Sequence, residues 1–159
     1  KLGNNGAASI TSTPVTTFSG GTNWKQVSCG YRHTAAIKTD GTLWAWGTPS
    51  NGRLGNAVDS FLPQTTPITT FSGGNNWKQV SAGNNLTAAI KTDGTLWTWG
   101  SSQWTLGLST GQLGNGITTG IRSTPVTTFA GGTNWKQVSA FPYYTAAVKA
   151  GINPEYPLS

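Results

Sequence analysis

One run of residues occurs three times in this chain, as FSGGTNWKQVS, FSGGNNWKQVS and FAGGTNWKQVS, and nothing else in the sequence constrains the fold as tightly. Its tryptophans are Trp24, Trp77 and Trp135, 53 and 58 residues apart. Pro14, Pro67 and Pro125 keep the same step, and Leu2-Gly3-Asn4, Leu54-Gly55-Asn56 and Leu113-Gly114-Asn115 follow at 52 and 59. A fixed period of this length means one supersecondary unit used repeatedly, with neighbouring units burying each other's faces. The stretch from Gly100 to Leu113 is six residues longer than the one from Gly47 to Leu54, so the insertions belong to surface loops. The whole chain, 1–159, reads as one repeat domain. Unit 1 covers about 1–52, unit 2 about 53–111 and unit 3, incomplete, about 112–149, with a divergent tail at 150–159.

Within a unit the pattern predicts four short strands. TPVTTF opens with a proline, which has no amide donor and is tolerated at the start of an outer strand. A Gly-Gly turn then leads into WKQVS. TAAIK and TLWAW (TLWTW in unit 2) flank Thr39-Asp40-Gly41-Thr42 and Thr92-Asp93-Gly94-Thr95, where Asp-Gly between two apolar runs predicts a tight type I′ hairpin. The 22 Gly suit a chain of many turns, and the 8 Trp suit pleated, half-buried surfaces. Trp44 and Trp46, like Trp97 and Trp99, lie two apart on one strand face and need a partner surface. The expected fold is therefore all-β: consecutive four-stranded antiparallel blades stacked radially, as in a β-propeller.

Several linked motifs now point to a family. Cys29-Gly30-Tyr31-Arg32-His33-Thr34-Ala35-Ala36-Ile37, Asp40-Gly41-Thr42-Leu43-Trp44-Ala45-Trp46-Gly47 and Gly52-Arg53-Leu54-Gly55 together resemble the repeat of the regulator of chromosome condensation family. Unit 2 carries the same marks in Ala82-Gly83, Asp93-Gly94, Leu96-Trp97-Thr98-Trp99-Gly100 and Gly111-Gln112-Leu113-Gly114. The resemblance implies propellers of about seven blades, whereas this chain holds about three units, too few to close a ring of roughly four to eight. The open edges then require a longer polypeptide, further copies, or a protein partner that covers them. AGINPEYPLS stands where unit 3 would need its hairpin and Trp-rich strand. The chain opens on Lys1 and contains no Met, which reads as a processed or excerpted piece.

Catalytic chemistry finds little material. Asp40 and Asp93 are accounted for by their turns, leaving Asp59, Glu155 and a single histidine, so no catalytic residues are expected. On this alignment Asn85 and Tyr144 take the place of His33, which argues against a repeated ligand or base. One Cys, one His and four scattered acids offer no metal-ligand spacing, and no cofactor is expected. Cys29, with Ala82 and Ala140 as counterparts, reads as a small residue in a packed strand. Asn85-Leu86-Thr87 matches a glycosylation sequon by pattern only.

Ten Lys+Arg against four Asp+Glu give a formal charge of +6. Six of the ten basic residues sit singly at repeated positions, Lys25/Lys78/Lys136 and Lys38/Lys91/Lys149, which reads as a solvated rim and argues against a nucleic-acid stripe. No apolar run approaches the about 18–20 residues of a membrane span.

Binding is where candidates remain. Seven of the eight tryptophans occupy repeated strand positions and read as core, whereas Trp104 lies in the longer loop of unit 2 and is a candidate contact residue. Tyr31, Arg32, Tyr143 and Tyr144 form a second set at a variable point of the repeat. The favoured function is a non-enzymatic structural or protein-interaction module in a larger assembly, such as an extracellular or virion surface. A glycan-binding propeller is the alternative. Guanine-nucleotide exchange and chromatin binding, which the family name implies, lack an acidic loop cluster or a basic tail here.

Overall fold

The computed structural model describes residues 17, 20–102, 111–116 and 119–151. Among these residues the chain forms ten strands: β1 Trp24–Cys29, β2 His33–Lys38, β3 Leu43–Gly47, β4 Gln64–Thr69, β5 Trp77–Ala82, β6 Leu86–Lys91, β7 Leu96–Ser101, β8 Ile121–Thr127, β9 Trp135–Ala140 and β10 Thr145–Lys149. They pair into two four-stranded antiparallel sheets, β1-β2-β3-β4 and β5-β6-β7-β8, and a two-stranded sheet of β9 and β10. These are three consecutive blades of an incomplete propeller, the third having two strands among the described residues.

One expectation needs correction. TPITT does not open the sheet that its own WKQVS continues. Instead β4, which contains Pro67, closes the preceding blade by pairing with β3, through Trp44↔Thr69 and Ala45↔Ile68. β8, with Pro125, does the same for the second blade on β7. The repeat boundary in sequence and the blade boundary in space are thus offset by one strand. Proline explains the placement: it sits inside the strand, at a register irregularity, on the outermost strand where its missing amide is not needed.

The Asp-Gly hairpins form, but not as type I′ turns. Gly41 is left-handed, with φ +80°, while Asp40 is not, and Gly41 N donates to Lys38 O at 2.9 Å. Lys38 N then donates to Thr42 O at 3.0 Å, which makes a type I turn followed by a glycine bulge. The Asp side chain selects that geometry. Asp40 Oδ1 accepts from Thr42 N at 2.9 Å and Thr42 Oγ1 at 2.6 Å, and Thr42 Oγ1 in turn accepts from Trp44 Nε1 at 2.8 Å. These bonds to Thr42 hold the Asp40 carboxyl below its ordinary range. Asp93, Thr95 and Trp97 repeat the relay. Gly41 has a second duty, because a Cβ there would collide with the Asn75 carbonyl of the next unit.

Apolar packing lies between blades. Ala35, Ile37 and Leu43 of the first meet Trp77, Val80, Ala89 and Trp99 of the second, and Ala88, Ile90 and Leu96 of the second meet Val138 and Trp135 of the third. Trp77 packs edge-on against Trp97 and Trp99, at 6.2 and 6.1 Å. Lys91 Nζ lies 4.8 and 4.4 Å above the Trp77 and Trp97 rings. Lys25, Lys78 and Lys136 are exposed as expected, but Lys38 and Lys91 cap indole pairs and are no part of a simple solvated rim.

Polar bonds fix the spacing of the blades. Gln26 spans the gap to the second blade, donating from Nε2 to Val80 O and accepting from Val80 N at Oε1, both at 3.0 Å. Ser28 Oγ accepts from Ala82 N at 2.9 Å. Gln79 and Ser81 make the same three bonds to Val138 and Ala140, at 3.1, 3.2 and 2.8 Å. Removing the Gln79 amide leaves two partly buried main-chain groups unpaired, at a cost of about 1–3 kcal/mol. Urea denaturation should show that loss for Gln79→Ala. It should show almost none for Gln137→Ala, whose exposed side chain makes no hydrogen bond among the described residues.

Candidate functional site

In each blade the first two strands are joined by a short loop at one end, and in the first two blades the Asp-Gly turns lie at the other. Three such loops converge. Cys29, Gly30 and Tyr31, then Ala82, Gly83 and Asn84, then Ala140 through Tyr143 line a cleft of about 660 Å³. The approach is close because Gly30 and Gly83 carry no side chain: Tyr31 N donates to Gly83 O across the blade boundary at 3.2 Å.

The cleft gathers part of the expected binding set. Tyr31 is 71% exposed, and Arg32 lies over its ring at 5.4 Å. Tyr143 lines the same cleft from the third blade. Tyr144 does not line it. It faces a second hollow with Trp135, Leu96 and Gln112, and its ring stacks on Phe141 at 5.2 Å. Trp104 lies outside the described residues. Phe141, which the sequence reading passed over, is a wall of the cleft. Its signal was the break in pattern where Gly30 and Gly83 are followed by an aromatic in unit 3.

Beneath the first loop lies a buried polar cluster. His33 is 2% exposed, and its Nε2 is 2.8 Å from Thr87 Oγ1 of the second blade. Thr87 Oγ1 donates to Arg53 O at 2.8 Å, so it accepts from His33 and fixes the tautomer with hydrogen on Nε2. Trp99 Nε1 also donates to Arg53 O, at 3.0 Å. The Arg53 side chain is buried, bonded to Ser50 O at 2.7 Å and Ser50 Oγ at 3.1 Å, with Nη1 lacking a partner. Burial, and then the charge of Arg32, depress the Arg53 pKa. Strand register also corrects the alignment, since Leu86, not Asn85, takes the place of His33: Leu86 pairs with Gly100 as His33 pairs with Gly47.

This cluster holds blades together and offers no reactive group to solvent. Desolvation, with a smaller contribution from Arg53, lowers the His33 pKa to about 3. Cys29, expected in a packed strand, is exposed, because among the described residues no blade covers the inner strand of the first. Among the described residues no three of His, Cys, Asp and Glu lie together as a metal site would require.

The depressed histidine gives a signed expectation. An unfolded chain takes up a proton on His33 near pH 6.5 and the folded one near 3, so the contribution is fully present above 6.5 and falls as pH drops through that window. The limiting slope is about 1.4 kcal/mol per pH unit. His33→Leu, which copies Leu86, should flatten the acid limb of a stability-against-pH curve between 6.5 and 3. An unchanged limb would mean that His33 is not the titrating group.

Comparison with known proteins agrees with this architecture. A family model for the Regulator of chromosome condensation (RCC1) repeat matches residues 24–53, and a second matches residues 40–90. The Ultraviolet-B receptor UVR8 of Arabidopsis thaliana is 41% identical over 78 residues, covering 48% of this chain and 17% of its own length. Human WBSCR16 superposes with a TM-score of 0.71 at 19% identity, over 94% of this chain and 38% of that one. Yeast RCC1 (Prp20), solved bound to Kap60, gives 0.63 at 21%, over 80% of this chain and 30% of that one. At these identities the structures show the fold alone. The chain spans less than a fifth of the length of the curated relatives it matches.

Proposed function

From a chain that carries a β-propeller repeat region of the regulator of chromosome condensation family, we propose a non-enzymatic protein-interaction module whose contact surface is the loop cluster at one end of the blades. The supporting observation is the cleft itself. Three loops from three blades bring Tyr31, Phe141 and Tyr143 to one solvent-facing concavity, with Arg32 stacked on Tyr31. Tyrosine and arginine are the side chains that most often anchor protein interfaces, because each joins a broad apolar surface to a polar end. Small or apolar residues, Gly30, Ala82, Gly83, Ala140 and Pro142, make up much of the remaining wall, which favours a protein segment over a small metabolite that would need converging polar groups. Yeast RCC1, with the same fold, was solved in complex with a protein, Kap60. That complex is the yeast chain's own, and here it supports a protein as the class of ligand.

A photo-cross-linking amino acid tests the surface. Placed at Tyr31 or at Tyr143 in the cells that make the protein, it should yield one and the same protein adduct. At Asp93, in a turn at the opposite end, it should yield none. Arg32→Ala should reduce the Tyr31 adduct roughly tenfold or more. Equal adducts from Asp93, or none from the two tyrosine positions, would remove the loop cluster from consideration.

A further inference from the structure

Phenylalanine stands at one place in all three units, as Phe18, Phe71 and Phe129, in step with the repeat. Phe18 lies outside the described residues, and the other two follow the outermost strands of the first and second blades, β4 and β8. Their main chain is held, since Phe71 N donates to Gly55 O and Phe129 N to Gly114 O, each at 2.7 Å. Their rings are left in water. Phe71 is 68% exposed and Phe129 84% exposed. Phe71 shows that this does not come from a missing neighbour, because a described four-stranded blade stands on either side of it. A large apolar side chain, fixed by its backbone and uncovered in successive units, marks a contact surface.

The same end of the blades carries positive charge. Phe71 and Phe129 lie at the Asp-Gly end, because Thr70 N donates to Leu43 O and Thr128 N to Leu96 O, the first residues of the strands that leave those turns. Lys25, Lys78 and Lys136 are the second residues of the three first strands, at that end, exposed and making no hydrogen bond or ion pair among the described residues. Lys38, Lys91 and Lys149 end the second strands at the same level. Against these six lysines stand two carboxylates, Asp40 and Asp93, which leaves a net charge of +4 there among the described residues. Both carboxylates are already bonded by Thr42 and Thr95.

We propose that the Asp-Gly end of the blades docks on the surface of an anionic lipid bilayer, with Phe71 and Phe129 entering the boundary between headgroups and acyl chains and the lysines facing the headgroup anions. Two features select a bilayer. Exposed phenylalanine beside lysine matches both layers of such an interface, charge outside and hydrocarbon within. The same side chains also recur at the same place from blade to blade, which suits a partner that is uniform sideways. The loop cluster at the other end differs in every blade, as a partner with one folded site requires. This inference goes beyond the protein-interaction reading and does not depend on it, since the two surfaces share no residue.

Co-sedimentation of the full chain with phosphatidylcholine vesicles, made with and without phosphatidylserine, tests the surface. At low salt the phosphatidylserine vesicles should hold at least about tenfold more protein, and added salt should release it. Phe71→Ser with Phe129→Ser should lower that partition about tenfold. Both rings are already in water, so the thermal melt should not move. Lys78→Glu with Lys136→Glu, which leaves the rings in place, should lower the partition as far. Phe61→Ser removes an 87% exposed ring from the loop between β3 and β4, at the opposite end, and should change nothing. Equal binding to vesicles without phosphatidylserine, full binding by either double variant, or an equal loss with Phe61→Ser would each overturn the proposal. So would tighter binding to a single-stranded oligonucleotide than to the vesicles, the outcome expected of a nucleic-acid surface. The loop cluster is tested apart, by its adducts at Tyr31 and Tyr143, and neither result bears on the other.

Discussion

The inner strand of every blade has one edge with no neighbouring strand in its own sheet, and its main-chain groups need partners that the sheet does not provide. In the second and third blades, glutamine and serine side chains of the preceding blade supply them. The Gln26 amide presents a donor and an acceptor to Val80 much as a strand would, and Gln79 does so for Val138. An unpaired sheet edge is an invitation to aggregation, and satisfying it from the side joins two blades while closing that risk. The radial arrangement depends on this interaction, because the apolar clusters between blades have no directionality of their own.

Spacing follows from the same contact. Blades close enough for an amide to bridge them also bring loop against loop, and there glycine becomes a requirement of volume. Gly30 and Gly83 leave room for the carbonyls of the following unit, and Gly41 and Gly94 do so at the opposite end of the sheets. The Trp77–Trp97–Trp99 group fills the wider part of the wedge. Loops of successive blades therefore converge on a shared cleft, and the variable residues after each first strand become its wall. A binding surface of this kind arises from blade packing before any particular side chain is considered.

Much of this was legible from the repeat. Period, strand count, antiparallel order of WKQVS, TAAIK and TLWAW, and radial stacking follow from spacing and tryptophan placement. The opening strand was misassigned because a one-dimensional repeat has no marked start, and TPITT is adjacent to two blades at once. The buried status of His33 and Arg53 was hidden as well. His33 and Arg53 have Leu86 and Gln112 at their positions in the second unit, and their surroundings, Thr87 and Trp99, come from a blade more than thirty residues away. Tyr31 and Tyr143 look alike as exposed aromatics, yet only packing brings them to one cleft and sends Tyr144 to another.

By itself the sequence determined the unit, its all-β character and the faces that must be buried, since these depend on local periodicity, turn chemistry and composition. The tertiary structure decided which strand belongs to which blade, where glycine is needed for room, and which loop residues share a cleft. Those features depend on distances between segments 50 to 60 residues apart in sequence, about one repeat period. No pattern of neighbouring residues encodes them, because a collision between a β-carbon and a distant carbonyl exists only once the chain has folded.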